Sequence, residues 1–319
     1  MKLSRKKAQE KTAKLFFNIL RYAFFISFSF VILYPFIYII CNAVKGNADF
    51  MDPMVQWIPK HFNLNNFVTA LKAFDVQHTI VNTLIYEIVP ALIQFCACAV
   101  AAYGLARFEF RGKNLLMGMM ILNILVPSMM LMTPTYVNYS RMDFLGIFGL
   151  ISKAIGQEIR PNLINTPFVT YLPAVLGMGI RGGFFIFIYL QFFRKFPKEL
   201  EEAACIDGAG PWRTFLQIVV PDMGAAAITV FLFTMVWHWN DYYEAQMFLS
   251  DHPTFAVSLN SYTINTISNV LEVSMTTVKY LAVPTLMAGC FLFILPLIAL
   301  YIAMQKKFVA SVSNSGITG

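Results

Sequence analysis

Two charged side chains stand inside runs of apolar residues. Arg181 falls midway along residues 168–193, and Glu87 lies within residues 80–103. A charge at the bilayer centre costs at least about 2.5–3.5 kcal/mol on insertion scales, so each residue is a functional candidate. Both are expected to face the inside of a helix bundle near a polar path, and a mutual pair is one arrangement. A structural ion pair, or an arginine stem at a broken helix end, is the competing account. Around Arg181 the string GMGIRGG fits G-x-G-x-x-G. No strand precedes it and no βαβ unit surrounds it, so its glycines point to close helix contact or irregular backbone rather than to a dinucleotide. The four histidines, His61, His78, His238 and His252, are scattered over separate segments. The five cysteines, Cys41, Cys96, Cys98, Cys205 and Cys290, form no C-x-x-C pair and read as small buried hydrophobes. No nucleophile–base pair or metal cluster emerges, which weighs against a multispan membrane enzyme. A scaffold subunit is a further alternative.

The elements that must position these residues are membrane helices. The 319 residues are 58% hydrophobic and only 13% charged, against about 25% charged in soluble domains. Six segments are long and apolar enough to span: 16–40, 80–103, 115–136, 168–193, 225–249 and 281–304. All must be helical, because lipid offers no partner to open backbone groups. Pro35, Pro90, Pro127 and Pro296 predict kinks. The first apolar run is too long for a signal-peptide core and reads as an uncleaved span. The net charge of +7 is not clustered on an aromatic-rich polar face, so nucleic acid is no partner. Instead, Lys and Arg concentrate in residues 1–15, in Arg107, Arg111 and Lys113, in Arg194, Lys195, Lys198 and Arg213, and in Lys306 and Lys307. The longer alternate stretches hold fewer: Lys45, Lys60, Lys72, Arg141, Lys153, Arg160 and Lys279. This bias places both termini and the 194–224 loop in the cytoplasm. The outer stretch 137–167 is expected to carry an interfacial helix or a partner surface.

The 194–224 loop reads as a helix–turn–helix. Pro197 suits a first turn, Glu199, Glu201 and Glu202 suit a helix N-terminus, and Gly208 suits a C-terminal cap. Leu200, Ala203, Ala204 and Asp207 share a face. After Gly210 and Pro211, the residues Trp212, Phe215, Leu216 and Val219 repeat at i, i+3, i+4 and i+7, and Pro221 is expected to end that helix. Leaving Trp212 and Phe215 in water forfeits about 1.5–3 kcal/mol each. Either the chain's own helix ends cover them, or a soluble partner docks there.

These residues carry a resemblance. Glu202, Ala203, Ala204, Gly208, Ile218 and Pro221 stand at the spacings of EAA-x3-G-x9-I-x-LP, the cytoplasmic loop of ABC importer permeases, with Val220 in place of Leu. FPKELEEAACIDGAG (196–210), AYGLARFEFRGK (102–113) and WNDYYEAQMFL (239–249) resemble further stretches of the carbohydrate, maltose-type permeases, in the right order. The likeness runs from about residue 78 to the end. It implies an all-α integral membrane fold of six helices with a cytoplasmic coupling loop. The expected layout is an N-terminus (1–15), a first span (16–40), a permease domain (78–304) and a cytoplasmic tail (305–319). It implies a carbohydrate, most simply an oligosaccharide, as the solute; another polar solute is the alternative. The implied partners are a cytoplasmic ATPase dimer, a second permease subunit forming a heterodimer, an extracellular or periplasmic solute-binding protein and membrane lipid. ATP and magnesium belong to the ATPase: the chain lacks G-x-x-x-x-G-K-[ST] and carries no cofactor.

The resemblance assigns Glu202, Ala203, Ala204, Gly208, Ile218 and Pro221 to the coupling surface; the face argument adds Asp207 and Trp212. The candidate translocation path comprises Glu87, Arg181, Trp239, Asn240 and Asp241. In the stretch Trp237 to Asp241, aromatic faces suit a pyranose ring, and Asn240 and Asp241 suit its hydroxyls. Anchoring at the membrane boundary competes with this reading.

Overall fold

In a computed structural model, the backbone is described for residues 2–143, 146–157, 160–263, 266, 268 and 275–315. The basic side chains before Lys14, Lys279 and the tail beyond Ser315 lie outside the described residues. The chain divides into two compact units, residues 1–73 with 263–292, and residues 74–262 with 293–319. The elements in order are α1 (Lys2–Ala43), α2 (Asn47–Met51), α3 (Asn65–Ala73), α4 (Val76–Arg107), α5 (Lys113–Leu125), α6 (Ser128–Ser140), α7 (Ile147–Ile155) and α8 (Phe168–Val175). They continue as α9 (Gly182–Lys195), α10 (Lys198–Ile206), α11 (Pro211–Asp222), α12 (Gly224–Trp239), α13 (Tyr243–Phe248), α14 (Phe255–Asn260) and α15 (Met275–Ser315). Among the described residues there is no strand, only an isolated bridge between Lys45 and Phe62.

Among the described residues, three helices are long and apolar enough to cross a membrane: Lys14–Ala43, Val76–Arg107 and Leu281–Val309. Counting each of two sharply bent pairs as one span raises the number to five. The apolar segments are thus not all continuous helices. The expected kink at Pro127 is a 109° break between α5 and α6. Val126, just before the proline, is forced to extended backbone (ψ 122) and cannot continue the helix. The 168–193 segment is split at residues 176–181. The 225–249 segment ends as a helix at Trp239, and Asp241 accepts from the Ala245 and Glu244 amides at the start of the separate α13. The tail is not loose where it is described: α15 continues to Ser315.

Pro90 lies within the single helix α4, whereas α11 ends at Asp222, one residue past Pro221, as expected. Each of these prolines follows a five-residue π-helical segment, Leu84–Ile88 and Phe215–Val219. A proline cannot donate to the carbonyl four residues back. The residue before it bonds five back instead, Val89 to Leu84 and Val220 to Phe215. The chain absorbs the lost bond as a wider turn.

In the first unit, α1 exposes large apolar side chains on every side from Leu15 to Ile40, as suits a helix wrapped in hydrocarbon. Beyond it the backbone is fixed by buried polar groups. Lys45 Nζ donates to the Val55 and Gln56 carbonyls, and Asn66 Nδ2 donates to the Ala43 and Lys45 carbonyls. The Asp49 carboxylate accepts from the Lys60 and His61 amides and meets His61 Nδ1 at 2.8 Å.

The core of the second unit gathers around α4. Cys98, Ala99, Ala102 and Tyr103 pack with Phe185, Tyr189, Leu190 and Phe193 of α9, Phe215 and Val219 of α11, and Val230 of α12. The stretch 137–167 does carry a helix, α7, whose preceding turn is held by the Gly149 amide on Asp143 Oδ1.

The amides around Asp49, with the His61 ring, hold its carboxyl below the ordinary aspartate range. Its contribution to order is therefore complete above pH about 4 and is lost as pH falls through the lower folded value. Asp49→Asn, which cannot accept at both oxygens, is expected to raise the rate of limited proteolysis between residues 52 and 63 at neutral pH. An unchanged cleavage rate refutes this role.

Candidate functional site

Two groups of candidate side chains stand out, both in the second unit. The first is the elbow formed by α10 and α11. Pro197 stands just before α10, and Asp207 and Gly208 close it. The Gly208 φ of +81 is the left-handed conformation that glycine adopts at no steric cost. The Ala209 amide bonds back to the Ala204 carbonyl and the Gly208 amide to Cys205, completing the C-terminal cap. Beyond Asp222 the chain turns through 83° into α12.

The elbow's apolar residues divide between two neighbours. Of the two alternatives for Phe215, cover by the chain's own helices is the one found: its ring lies 4.8 Å from Tyr103 and 6.4 Å from Phe193. Trp212 remains 65% exposed. The face drawn through Leu200, Ala203, Ala204 and Asp207 is split, since Ala204 is buried while the other three are exposed. Glu202, Gly208 and Pro221 are exposed and Ile218 is half-buried. Sequence reasoning missed Ile206, which at 87% exposed is the elbow's most open large apolar side chain; Leu216, already placed on the apolar face, is open beside Trp212. It also missed that Glu201 turns inward, where Arg107 Nε donates to its Oε1 at 2.7 Å and Tyr103 Oη to its Oε2 at 2.9 Å.

The second group surrounds the break between α8 and α9. Gly177 (φ +67) and Arg181 (φ +57) are both left-handed there. A Cβ at Gly182 would collide with the Gly177 carbonyl oxygen, and one at Gly179 would sit 2.6 Å from Gln94 Oε1. Close backbone approach thus requires glycine at 182, while positive φ favours it at 177 and the Gln94 side chain crowds position 179. Gln94 Nε2 donates to the Ile180 carbonyl at 2.8 Å. Its Oε1 therefore faces His238 Nε2, 2.9 Å away, so that nitrogen carries the hydrogen. His238 Nδ1 then shares one proton with Glu87 Oε2 at 3.0 Å. Glu87 is paired with His238, not with Arg181. Arg181 instead stands 5.8 Å over the Trp237 ring.

Arg181 also borders a cavity of about 340 Å³ with Asn123, Thr135, Tyr139, Glu244 and Phe248 among its walls. Glu87, Trp239, Asn240 and Asp241 do not line it. The Trp239 indole donates to the Phe293 carbonyl at 3.0 Å, and Asn240 Nδ2 donates to the Val236 carbonyl at the helix end. Gln94 was missed altogether, although it is an amide in the middle of an apolar run. Glu244, one turn from Asp241, was missed as well.

The profile of the family described as binding-protein-dependent transport system inner membrane component matches residues 94–314. The chain is 29% identical over 290 residues to the melibiose/raffinose/stachyose import permease protein of Bacillus subtilis, covering 89% of this chain and 91% of that one. It is 26% identical over 291 residues to the trehalose transport system permease protein of Mycobacterium tuberculosis, covering 90% and 93%. A solved bacterial ABC transporter involved in import of the acidic polysaccharide alginate has the same fold. Its TM-score is 0.66 at 21% identity, covering 92% of this chain and 96% of that one.

The break sets an expected outcome. Gly182→Ala should cost about 1–3 kcal/mol or more through overpacking against backbone, lowering the melting midpoint in detergent or leaving aggregate on size exclusion. Gly104→Ala, with open space around its Cβ, should melt as the unaltered chain does. Equal midpoints for the two variants contradict the packing described.

Proposed function

The chain belongs to the family of binding-protein-dependent transport system inner membrane components, and we propose that it is the permease subunit of an ATP-driven importer for a di- or oligosaccharide. The observation that carries this reading is the elbow. Ile206, Trp212 and Leu216 stand open beside Gly208 and Ala203, at the residue spacings of an importer coupling loop. In this reading the elbow lies in the cytoplasm, with both termini, and a dimeric ATPase grips it. Six spans cross the membrane: α1, α4, the bent pair α5–α6, the broken pair α8–α9, α12 and α15. A second permease subunit completes the pathway, and an extracellular binding protein delivers the solute. ATP with magnesium sits on the ATPase, and this chain needs no cofactor.

The names of the two relatives, one with melibiose, raffinose and stachyose and one with trehalose, support a sugar as the solute. The cavity beside Arg181 falls in the size range of small-molecule sites, about 300–1,000 Å³. Its walls offer what a sugar needs: donors on Arg181, Asn123 and Thr135, an acceptor on Glu244, and the aromatic faces of Tyr139 and Phe248. Closure of the ATPase around ATP pushes the elbow, and the bundle exchanges outward- and inward-facing packings that ATP and solute both bias.

Affinity purification of the chain from its own cells should bring down an ATPase and a second permease. In proteoliposomes, hydrolysis should rise when the cognate binding protein is loaded with a disaccharide. A chain that retains no ATPase under these conditions overturns the assignment. Gly208→Asp and Ala203→Arg should abolish both motor attachment and uptake. Arg181→Ala should keep the motor attached and lower uptake at least tenfold. Normal uptake at normal expression removes Arg181 from the path.

A further inference from the structure

Arg107 ends α4 and is tied to two elements at once. Its Nε donates to Glu201 Oε1 on α10 at 2.7 Å, and its Nη2 donates to the Phe196 carbonyl, just past α9, at 2.8 Å. Nη2 also lies 2.6 Å from Glu201 Oε1, and the two side chains are 8% and 13% exposed. Tyr103, one turn earlier on α4, donates to the other carboxylate oxygen. A charged pair with several shared hydrogen bonds, shielded from water, is held in one geometry.

Near the middle of α4, about 20 Å away at 1.5 Å per residue, Gln94 holds the Ile180 carbonyl and His238. Between these two points, Cys98, Ala99 and Ala102 pack among Phe185, Tyr189 and Phe193 of α9. Helix α9 is thus pinned to α4 at both of its own ends. One pin carries the elbow, and the other carries the backbone next to Arg181.

We propose that α4 and α9 form a single lever, and that Arg107 is the positioning residue that joins the elbow to it. The proposal rests on the permease reading above and adds the route by which the motor reaches the cavity. A push on α10 enters at Glu201, passes through the Arg107 guanidinium into α4 and α9, and leaves through Gln94 and the Ile180 carbonyl to the cavity wall. Glu201 points inward, away from the open surface of Leu200, Ala203 and Asp207. Its loss alters transmission and leaves the surface offered to the motor in place.

The test uses the complex purified with its own ATPase, with the exposed Cys96 and Cys205 replaced by serine and Thr135→Cys introduced in the cavity wall. The readouts are ATP hydrolysis and the change in labelling by a membrane-impermeant maleimide when ATP and vanadate are added. In the Arg107 parent, labelling should change at least fivefold on trapping. In Arg107→Gln, the motor should stay bound and hydrolyse ATP, while the labelling change falls below twofold. The exchange Arg107→Glu with Glu201→Arg should recover part of the change. Tyr103→Phe, which removes one hydroxyl without opening the ion pair, should reduce the change by about half at normal expression; it decides the matter if Arg107→Gln fails to assemble. A full labelling change in Arg107→Gln, or in Tyr103→Phe where only that variant assembles, overturns the lever. So does loss of the motor from well-folded variants. A parent complex that binds no ATPase refutes the permease reading instead, which separates the two failures.

Discussion

A helix interrupted inside a bilayer leaves carbonyls and amides where no water can reach them, and each unsatisfied group costs about 1–3 kcal/mol or more. The interruption at residues 176–181 is closed by side chains borrowed from α4. Gln94 donates to the Ile180 carbonyl, and Cys98 Sγ lies 3.8 and 3.7 Å from the Gly177 and Gly182 carbonyls. That choice propagates. With its amide nitrogen committed, Gln94 presents an oxygen to His238, which fixes the tautomer of the ring and sends its other nitrogen to Glu87. One carbonyl in the break is thereby linked to polar side chains on two helices, α4 and α12.

Much of the elbow was legible in residue types alone, because capping and turn chemistry are local. The αL glycine at 208, the acids at the start of α10 and the proline opening α11 each act within a few residues. What was hidden is which apolar residue meets which neighbour. Phe215 and Trp212 have the same periodicity, yet one is buried against Tyr103 and the other is open. That difference depends on where α4 ends, and nothing within the loop encodes it.

The apolar runs were legible as membrane helices but not as straight ones. Pro127 and the glycines from 177 to 183 signalled irregularity, and the structure breaks the helices there. Glu87 was conspicuous as a charge, but its partner lies 151 positions away on α12. Proximity of that kind is set by helix packing, which a single sequence does not spell out. Arg181 could be read as a broken-helix end, and its φ of +57 with the adjoining turn places it there.

The π turns ahead of Pro90 and Pro221 have a consequence for the faces of these helices. Bonding five residues back puts one extra residue into a turn, and in an α-helix each residue is worth about 100° of rotation. A helical wheel drawn straight through either proline therefore loses phase by roughly that angle, and residues on opposite sides of the turn exchange neighbours. A single-residue deletion within Leu84–Ile88 that restored ordinary α-geometry would take up that extra residue and leave the two flanking parts of α4 on their present faces.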